Sequence, residues 1–476
     1  MELLLHILPY ALPAIHLLGI LTAIDALYWS RSSQSALAWG IFLVTFPYLA
    51  LPIYWIFGRA RFRGYRELID RFVALHQEDL APLDKEREKL HEHPPTLEPA
   101  LCKTFERLAQ NPFIAGNKVQ LLIDGKNVFD AIFAAIERAE KYIVVQFFII
   151  HDDEIGRELR DRLLRKAAAG VKVYVLFDEV GSKNLPASYI QSLRDAGALV
   201  HEFGTRQGRG DFFQINFRNH RKIVVVDGKT AFVGGLNVGD EYLGRSKRFG
   251  HWRDSHLQVD GPAALQIQWV FAADWLWATR TEAQLDWSGA TRVGSQHILT
   301  IASGPADVRE RCVLFFLESI RCAKKRVWIS SPYFVPDDAI IRELQLAALR
   351  GVDVRIVLPK NPDHYLVWFA SFAFVPEVTS YGVRIFRYTK GFIHQKAVLV
   401  DDEMATVGTA NLDNRSLRLN FEIMLLVADP AFNAQVATAL EKDFADSEED
   451  SFTKFSSLPL SRRLLSKFAR LLSPIL

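Results

Sequence analysis

Two stretches of this chain are written to one template. Asn219–Asn237 reads NHRKIVVVDGKTAFVGGLN and Ile393–Asn411 reads IHQKAVLVDDEMATVGTAN. Each gives His-x-Lys, four residues, Asp, six residues, then Gly-x-x-Asn. The fixed points are His220, Lys222, Asp227 and Asn237 in the first copy, and His394, Lys396, Asp401 and Asn411 in the second. One His-x-Lys on a strand arises by chance as a surface pair. Two full matches, each with its Gly-x-x-Asn, do not.

The repeat extends beyond the motif. YIVVQFFII (Tyr142–Ile150), a polar turn, GRELRDRLLRKAAAG and VKVYVLFDE from Val171 form one block. RVWISSPYF (Arg326–Phe334), a turn, AIIRELQLAALRG and VDVRIVLPK from Val352 form another. Short β-branched runs alternating with helical stretches signal βαβ units. The Gly170-Val171 and Gly351-Val352 pairs lie 181 residues apart and the motif histidines 174, so a whole domain is duplicated. The expected architecture is α/β: two domains with parallel-rich sheets about a pseudo-twofold, spanning 116–290 and 291–450.

The motif also has a chemistry. KIVVVD and KAVLVD have strand length, and residues two apart on a strand face the same side. Imidazole, ammonium and carboxamide on one face suit a phosphate ester: a neutral histidine attacks phosphorus while lysine and asparagine hold the oxygens on which charge develops. One copy leaves the departing alkoxide without a proton. A second copy facing the first supplies a general acid, then a base for the acceptor. Two lysines and two asparagines carry the phosphate charge, so no metal or cofactor is required. Asp227 and Asp401 end their strands, where a carboxylate serves a turn as readily as catalysis. A histidine nucleophile also wants a carboxylate on its other nitrogen. Asp254 and Glu422, each downstream of its own motif in a strand-like context, rank above Asp227 and Asp401 for that task.

A net charge of +2 in 476 residues excludes a polyanion-coating protein. Cys102, Cys312 and Cys322, an odd set with no CxxC, argue against a disulfide framework and against a structural zinc site. Leu3–Leu27 and Ala36–Phe57 are each apolar over bilayer length, which predicts a hairpin of two membrane spans within 1–63. Arg59, Arg61, Arg63 and Arg66 follow the second stretch, and the turn between the two holds Arg31 alone, so the bulk of the chain is expected on the cytoplasmic side. Residues 64–115, with the mixed-charge run HQEDLAPLDKEREKLHEHPPTLEP, read as a tether with some helix, interrupted at Pro94-Pro95, and a solvated surface. Arg206–Arg253 holds ten Lys/Arg against four Asp/Glu with aromatics interleaved, a rim suited to anionic head groups at a membrane and equally to nucleic acid. The tail, 451–476, reads as a basic amphipathic helix for a membrane surface or for packing.

The paired motifs resemble those of the phospholipase D superfamily. The flanks FVGGLNVGDEY, WRDSHLQVDGPA, SPYFVPDD, GTANLDNRSLRLNFE and FARLLSPIL are similar to those of bacterial cardiolipin synthases, over essentially the whole chain. That resemblance implies phosphatidyl transfer between two phosphatidylglycerols, giving cardiolipin and glycerol through a phosphatidyl-histidine. It implies His220 as nucleophile and His394 as acid and base, although the pseudosymmetry also admits the reverse. It implies an anionic phospholipid partner, no nucleic acid, and a multi-pass protein of the bacterial inner membrane. Gly235 stands where many superfamily members carry Ser, and Thr409 keeps a hydroxyl in the second copy, so a hydroxyl contact to phosphate is expected on one side only. A hydrolytic phospholipase D or a phosphatidylserine synthase would share these residues and differ in the acceptor. A non-catalytic scaffold would break one motif, and neither is broken.

Overall fold

The computed structural model describes residues 2–58, 62–77, 85, 87–204, 216–288, 291–450 and 459–476. Both expected βαβ units form. Tyr142–Phe147, buried along its whole length, pairs in parallel with Lys172–Asp178 through the helix Glu154–Ala168. Arg326–Ser330 pairs in parallel with Asp353–Pro359 through Asp338–Leu349. Asp153 and Asp337 cap the two helices by accepting the N–H of Gly156 and Ala339, which fixes where each begins.

The motif strands lie antiparallel on the other side of each leading strand. Ile223–Val226 pairs with Tyr142–Phe147, and Ala397–Val400 with Arg326–Ser330. Each motif then folds back as a hairpin, onto Thr230–Gly234 and Met404–Gly408. The halves do not keep separate sheets. Ile114–Ile123 and Gln296–Ser303 pair antiparallel across the middle and join the two halves into one sheet, 16-stranded among the described residues.

Two short parallel crossings stitch the halves together at the motifs. Arg218–Asn219 pairs with Asn420–Phe421, and Gly391–Ile393 pairs with His251–Arg253. Each crossing delivers the histidine of one half beside a strand of the other: His220 N–H donates to Phe421 O at 2.9 Å, and His394 N–H to Arg253 O at 2.8 Å.

The flanks are more broken and more packed than hydropathy and composition suggest. The first apolar stretch is one helix, Glu2–Trp29, of which Pro9–Trp29 is long and apolar enough to cross a membrane. The second is broken into Ser33–Thr45, Pro47–Ile53 and a π-helical turn Tyr54–Gly58. The break falls at Phe46 (φ −131°, ψ 55°), because the residue before a proline is pushed out of the helical region. The pieces still fold back on the first helix: a side chain at Gly19 would meet the Leu43 carbonyl at 2.5 Å, so only glycine allows that approach. Asp25 accepts from Tyr54 Oη at 3.0 Å and from Arg63. The tether is also shorter than its composition suggested. Helix Pro99–Ala109 buries Cys102, Phe105 and Ala109 in the core of the second half, with Leu97 and Phe113 beside it. Basic residues 59 and 61, and 205–215 of the expected rim, lie outside the described residues.

Candidate active site

His220 and Lys222 stand at the start of Ile223–Val226, and His394 and Lys396 at the start of Ala397–Val400. All four are buried. Behind each ring stands a carboxylate from the opposite half. His220 Nδ1 lies 3.0 and 3.1 Å from the two oxygens of Glu422, and His394 Nδ1 lies 2.8 Å from Asp254 Oδ2. Asp254 and Glu422 thus stand where orienting carboxylates are needed, but crossed between the halves.

Burial holds the His220 ring down to about 4 against the opposing pull of Glu422. Burial and then Lys396 hold His394 well below its ordinary value. Burial alone would raise Glu422, but His220 and Lys222 bring it below the usual carboxylate value; burial raises Asp254. Both rings are therefore neutral at rest. With the Nδ1 proton donated to a carboxylate, each Nε2 carries the lone pair.

The lysines differ. Lys222 Nζ donates to the His220 carbonyl at 2.7 Å, whereas Lys396 Nζ also lies against the His394 ring, 2.7 Å from Nδ1 and 3.0 Å from Nε2. Burial lowers both, Lys396 to about 8. Aromatic rings wall the site: Phe148 stands edge-on to His220 at 5.1 Å, and Trp252 and Phe392 lie 5.1 and 5.9 Å from His394.

Asp227 and Asp401 do not belong to this group. They end the strands that His220 and His394 begin, and each carboxylate accepts three backbone N–H groups. For Asp227 these are Glu140, Lys141 and Tyr142 at 2.8–2.9 Å; for Asp401 they are Lys324, Lys325 and Arg326 at 2.7–2.9 Å. Both residues have positive φ, +52° and +51°, at the turn of the motif hairpin. They anchor the leading strand of each half.

Thr409 also departs from expectation. Its hydroxyl accepts the Ile423 N–H at 2.9 Å and donates to the Ile423 carbonyl at 3.2 Å, inside its own half. At Gly235 a side chain would meet Asp254 Oδ1 at 2.1 Å, so the space of the missing hydroxyl is filled by the orienting carboxylate. Asn237 Nδ2 donates to Tyr242 Oη and its Oδ1 accepts the Ile149 N–H, both at 3.2 Å. Asn411 Nδ2 lies 3.3 Å from Asp413, and its buried Oδ1 has no partner among the described residues.

Sequence reasoning missed the residue between His and Lys in each motif. Arg221 reaches away from the site to Asp274 at 2.6 Å, the Glu422 carbonyl at 3.1 Å and the Ser303 carbonyl at 3.2 Å. Gln395 joins Asp443 at 2.6 Å to Ser255 at 2.8 Å, and Asp443 grips Arg253 through two bonds. Both side chains fix the crossings. A polar residue inside a buried strand was the available signal.

The family model for the cardiolipin synthase, phospholipase D-like domain matches residues 132–275 and 316–444, one segment per half. The chain belongs to this family. A model described as phospholipase D-nuclease N-terminal matches residues 17–59. Cardiolipin synthase A of Pseudomonas putida strain W619 is 50% identical over 472 residues, 98% of either chain. Cardiolipin synthase A of Pseudomonas fluorescens strain Pf-5 is 46% identical over 481 residues, 99% of either chain. Among solved structures, a phosphatidylserine synthase from Haemophilus influenzae superposes with a TM-score of 0.60 at 19% identity, over 80% of this chain and all of that one, which is a likeness of fold.

Proposed function

We propose that this family member transfers the phosphatidyl group of one phosphatidylglycerol to a second, forming cardiolipin and releasing glycerol through a phosphatidyl-histidine. The observation that carries the reading is the crossed pairing of His220 with Glu422 and His394 with Asp254. Neither half holds a complete dyad, so the halves act on one phosphorus.

In the first step His220 Nε2 attacks phosphorus, the P–O bond to glycerol breaks, and protonated His394 gives its proton to the departing oxygen. Burial and Lys396 keep His394 neutral; an anionic phosphate between Lys222 and Lys396 raises its affinity for that proton. In the second step neutral His394 takes the proton of an incoming glycerol hydroxyl. That oxygen attacks phosphorus and the P–N bond breaks. The lysines and the amides of Asn237 and Asn411 stabilise the phosphoryl oxygens. Lys396 crowds both ring nitrogens of His394, 2.7 Å from Nδ1 and 3.0 Å from Nε2, whereas Lys222 donates to the His220 carbonyl, which favours His220 as nucleophile.

The membrane assignments rest on the same logic. The N-terminal helices anchor the protein as a multi-pass hairpin in the bacterial inner membrane, with the catalytic part on the cytoplasmic side. The tail helix Leu460–Leu471 packs on Tyr365–Thr379 through small residues, burying Ser466 and Ala469. Its apolar face stays open, with Leu464 58%, Phe468 59% and Leu471 75% exposed, beside exposed Tyr365 and Leu366. Arg462, Arg463 and Lys467 flank that face, so it suits an anionic bilayer. His364 and Asp363, which begin the neighbouring helix, adjoin the site: Asp363 acts electrostatically on both His394 and Lys396.

Purified protein given phosphatidylglycerol alone is expected to yield cardiolipin and glycerol, and added glycerol to drive the products back. Phosphatidic acid as the dominant product, with no glycerol exchange, would overturn the reading.

A further inference from the structure

The tether segment Leu90–Leu97 reads LHEHPPTL. Leu90 and Leu97 are buried, His91 bridges to Ile114 at the start of a central strand, and Glu92 N–H donates to Phe113 O. Extended backbone puts alternate side chains on one side. His91 and His93 therefore face together, while Glu92 turns toward His297 and Arg292. Glu106, on the helix Pro99–Ala109, meets the pair with one oxygen for each ring. His91 Nε2 lies 2.8 Å from Oε1 and His93 Nε2 lies 3.0 Å from Oε2. The Phe113 N–H fixes that carboxylate at 2.9 Å.

We propose that His91, His93 and Glu106 form a zinc site that fastens the tether to the catalytic core. Their ligand atoms lie within 4.8 Å of one another. Two imidazole nitrogens and a carboxylate match the ligand preference of Zn²⁺, with a fourth, water-filled position on the exposed side. Tetrahedral ligands about 2.0–2.1 Å from zinc stand about 3.3 Å apart, so a small outward shift of each ring admits the ion. The ring proton then sits on Nδ1 of both histidines, and binding displaces any Nε2 proton. The Pro94-Pro95 pair limits how far the loop can relax without the ion. None of the three residues hydrogen-bonds to His220, His394, Asp254 or Glu422, so the role is structural: it sets the catalytic core against the membrane helices that precede the tether.

The test uses untagged full-length protein in detergent, stripped of metal and titrated with zinc chloride. Expected are about one zinc retained per chain at micromolar free zinc, a melting temperature raised by a few degrees, and, with cobalt, the strong visible absorption of a four-coordinate site. His93→Gln and Glu106→Gln each lower affinity at least about ten-fold while phosphatidyl transfer continues, which also reports folding. Glu92→Gln, on the other side of the strand, leaves binding unchanged. Protection of His91 and His93 from diethyl pyrocarbonate by zinc in the unmutated protein gives a readout that needs no variant. No zinc bound at about 100 µM free ion, or binding that both ligand variants leave unaltered, overturns the proposal.

Discussion

Replacing one orienting carboxylate by its amide separates the two histidines. In Glu422→Gln the amide oxygen stays on the Asn420 Nδ2–H, which Oε1 now accepts at 3.1 Å. That turns the NH₂ toward His220 Nδ1. In Asp254→Asn the oxygen stays on the Ser255 N–H, 2.8 Å from Oδ1, and the NH₂ turns toward His394. Each amide then forces its ring to accept at Nδ1 and to carry the proton on Nε2. Loss of a hydrogen bond to a buried charge costs about 1.5–3 kcal/mol, roughly ten- to a hundred-fold in rate. Holding the wrong tautomer brings the total to the order of 10³–10⁴. The discriminating assay is the burst of nitrophenol from a phosphatidyl nitrophenyl ester, whose leaving group needs no acid. Glu422→Gln disables the nucleophile, so the burst should fall by about 10³ or more. Asp254→Asn disables only the acid and should keep the burst within about tenfold, while transfer from phosphatidylglycerol collapses. The reverse pattern, or equal loss in both, refutes either the crossed pairing as working parts or His220 as nucleophile.

Asp227→Ala and Asp401→Ala should each lower stability by about 2–3 kcal/mol, read as a lower melting temperature, because three backbone donors lose their acceptor. Turnover per folded molecule should survive both changes. With Lys396 held at about 8, kcat/KM should fall on the alkaline side near pH 8 as its charge is lost; a pH–rate profile checks this, and Lys396→Arg should remove that limb. For His220, held near 4, the unfolded chain binds a proton between about pH 6.5 and 4 that the native ring refuses. Stability should therefore decline over that window as pH falls, seen in denaturant melts at graded pH, and His220→Gln should flatten the decline. Leu464→Asp with Phe468→Asp should weaken binding to anionic vesicles while leaving the core folded, checked by flotation and circular dichroism.

The motif strands, the βαβ units and the identities of both histidines and lysines were legible because each is a local pattern: a β-branched run, a helical period, a pair two residues apart. The broken second apolar stretch was legible in principle, since Pro47 dictates what Phe46 can do, but hydropathy averages over such a residue. Some helix was expected in the tether, but the burial of Pro99–Ala109 in the core hid for a similar reason. Its buried positions Cys102, Phe105 and Ala109 follow a helical period, yet the charged neighbours set the mean composition. The turn duty of Asp227 was legible as one of two even readings, since the residue ends its strand and is followed by Gly, a hairpin signal. What sequence could not give was the partner of each histidine. His220 meets a carboxylate 202 residues away and His394 one 140 residues away, and no local rule links positions so distant.

The crossing explains why the copies have diverged in pairs. In the first half Asp254 is one methylene short, and its Oδ1 folds back onto the Ser255 N–H; that leaves no space at residue 235 for anything beyond glycine. In the second half Glu422 is longer and reaches past that position, and Thr409 fills the gap by bonding the Ile423 N–H that Glu422 leaves unclaimed. Gly235 with Asp254, and Thr409 with Glu422, are thus two solutions to one packing problem: satisfy the backbone N–H after the carboxylate and fill the corner behind it. Each solution sits in the half opposite the histidine it serves. A change at residue 235 therefore acts on His394 through Asp254, and a change at Thr409 acts on His220 through Glu422. The asymmetry that distinguishes the two rings is built into the partner half rather than into the motif that carries the ring.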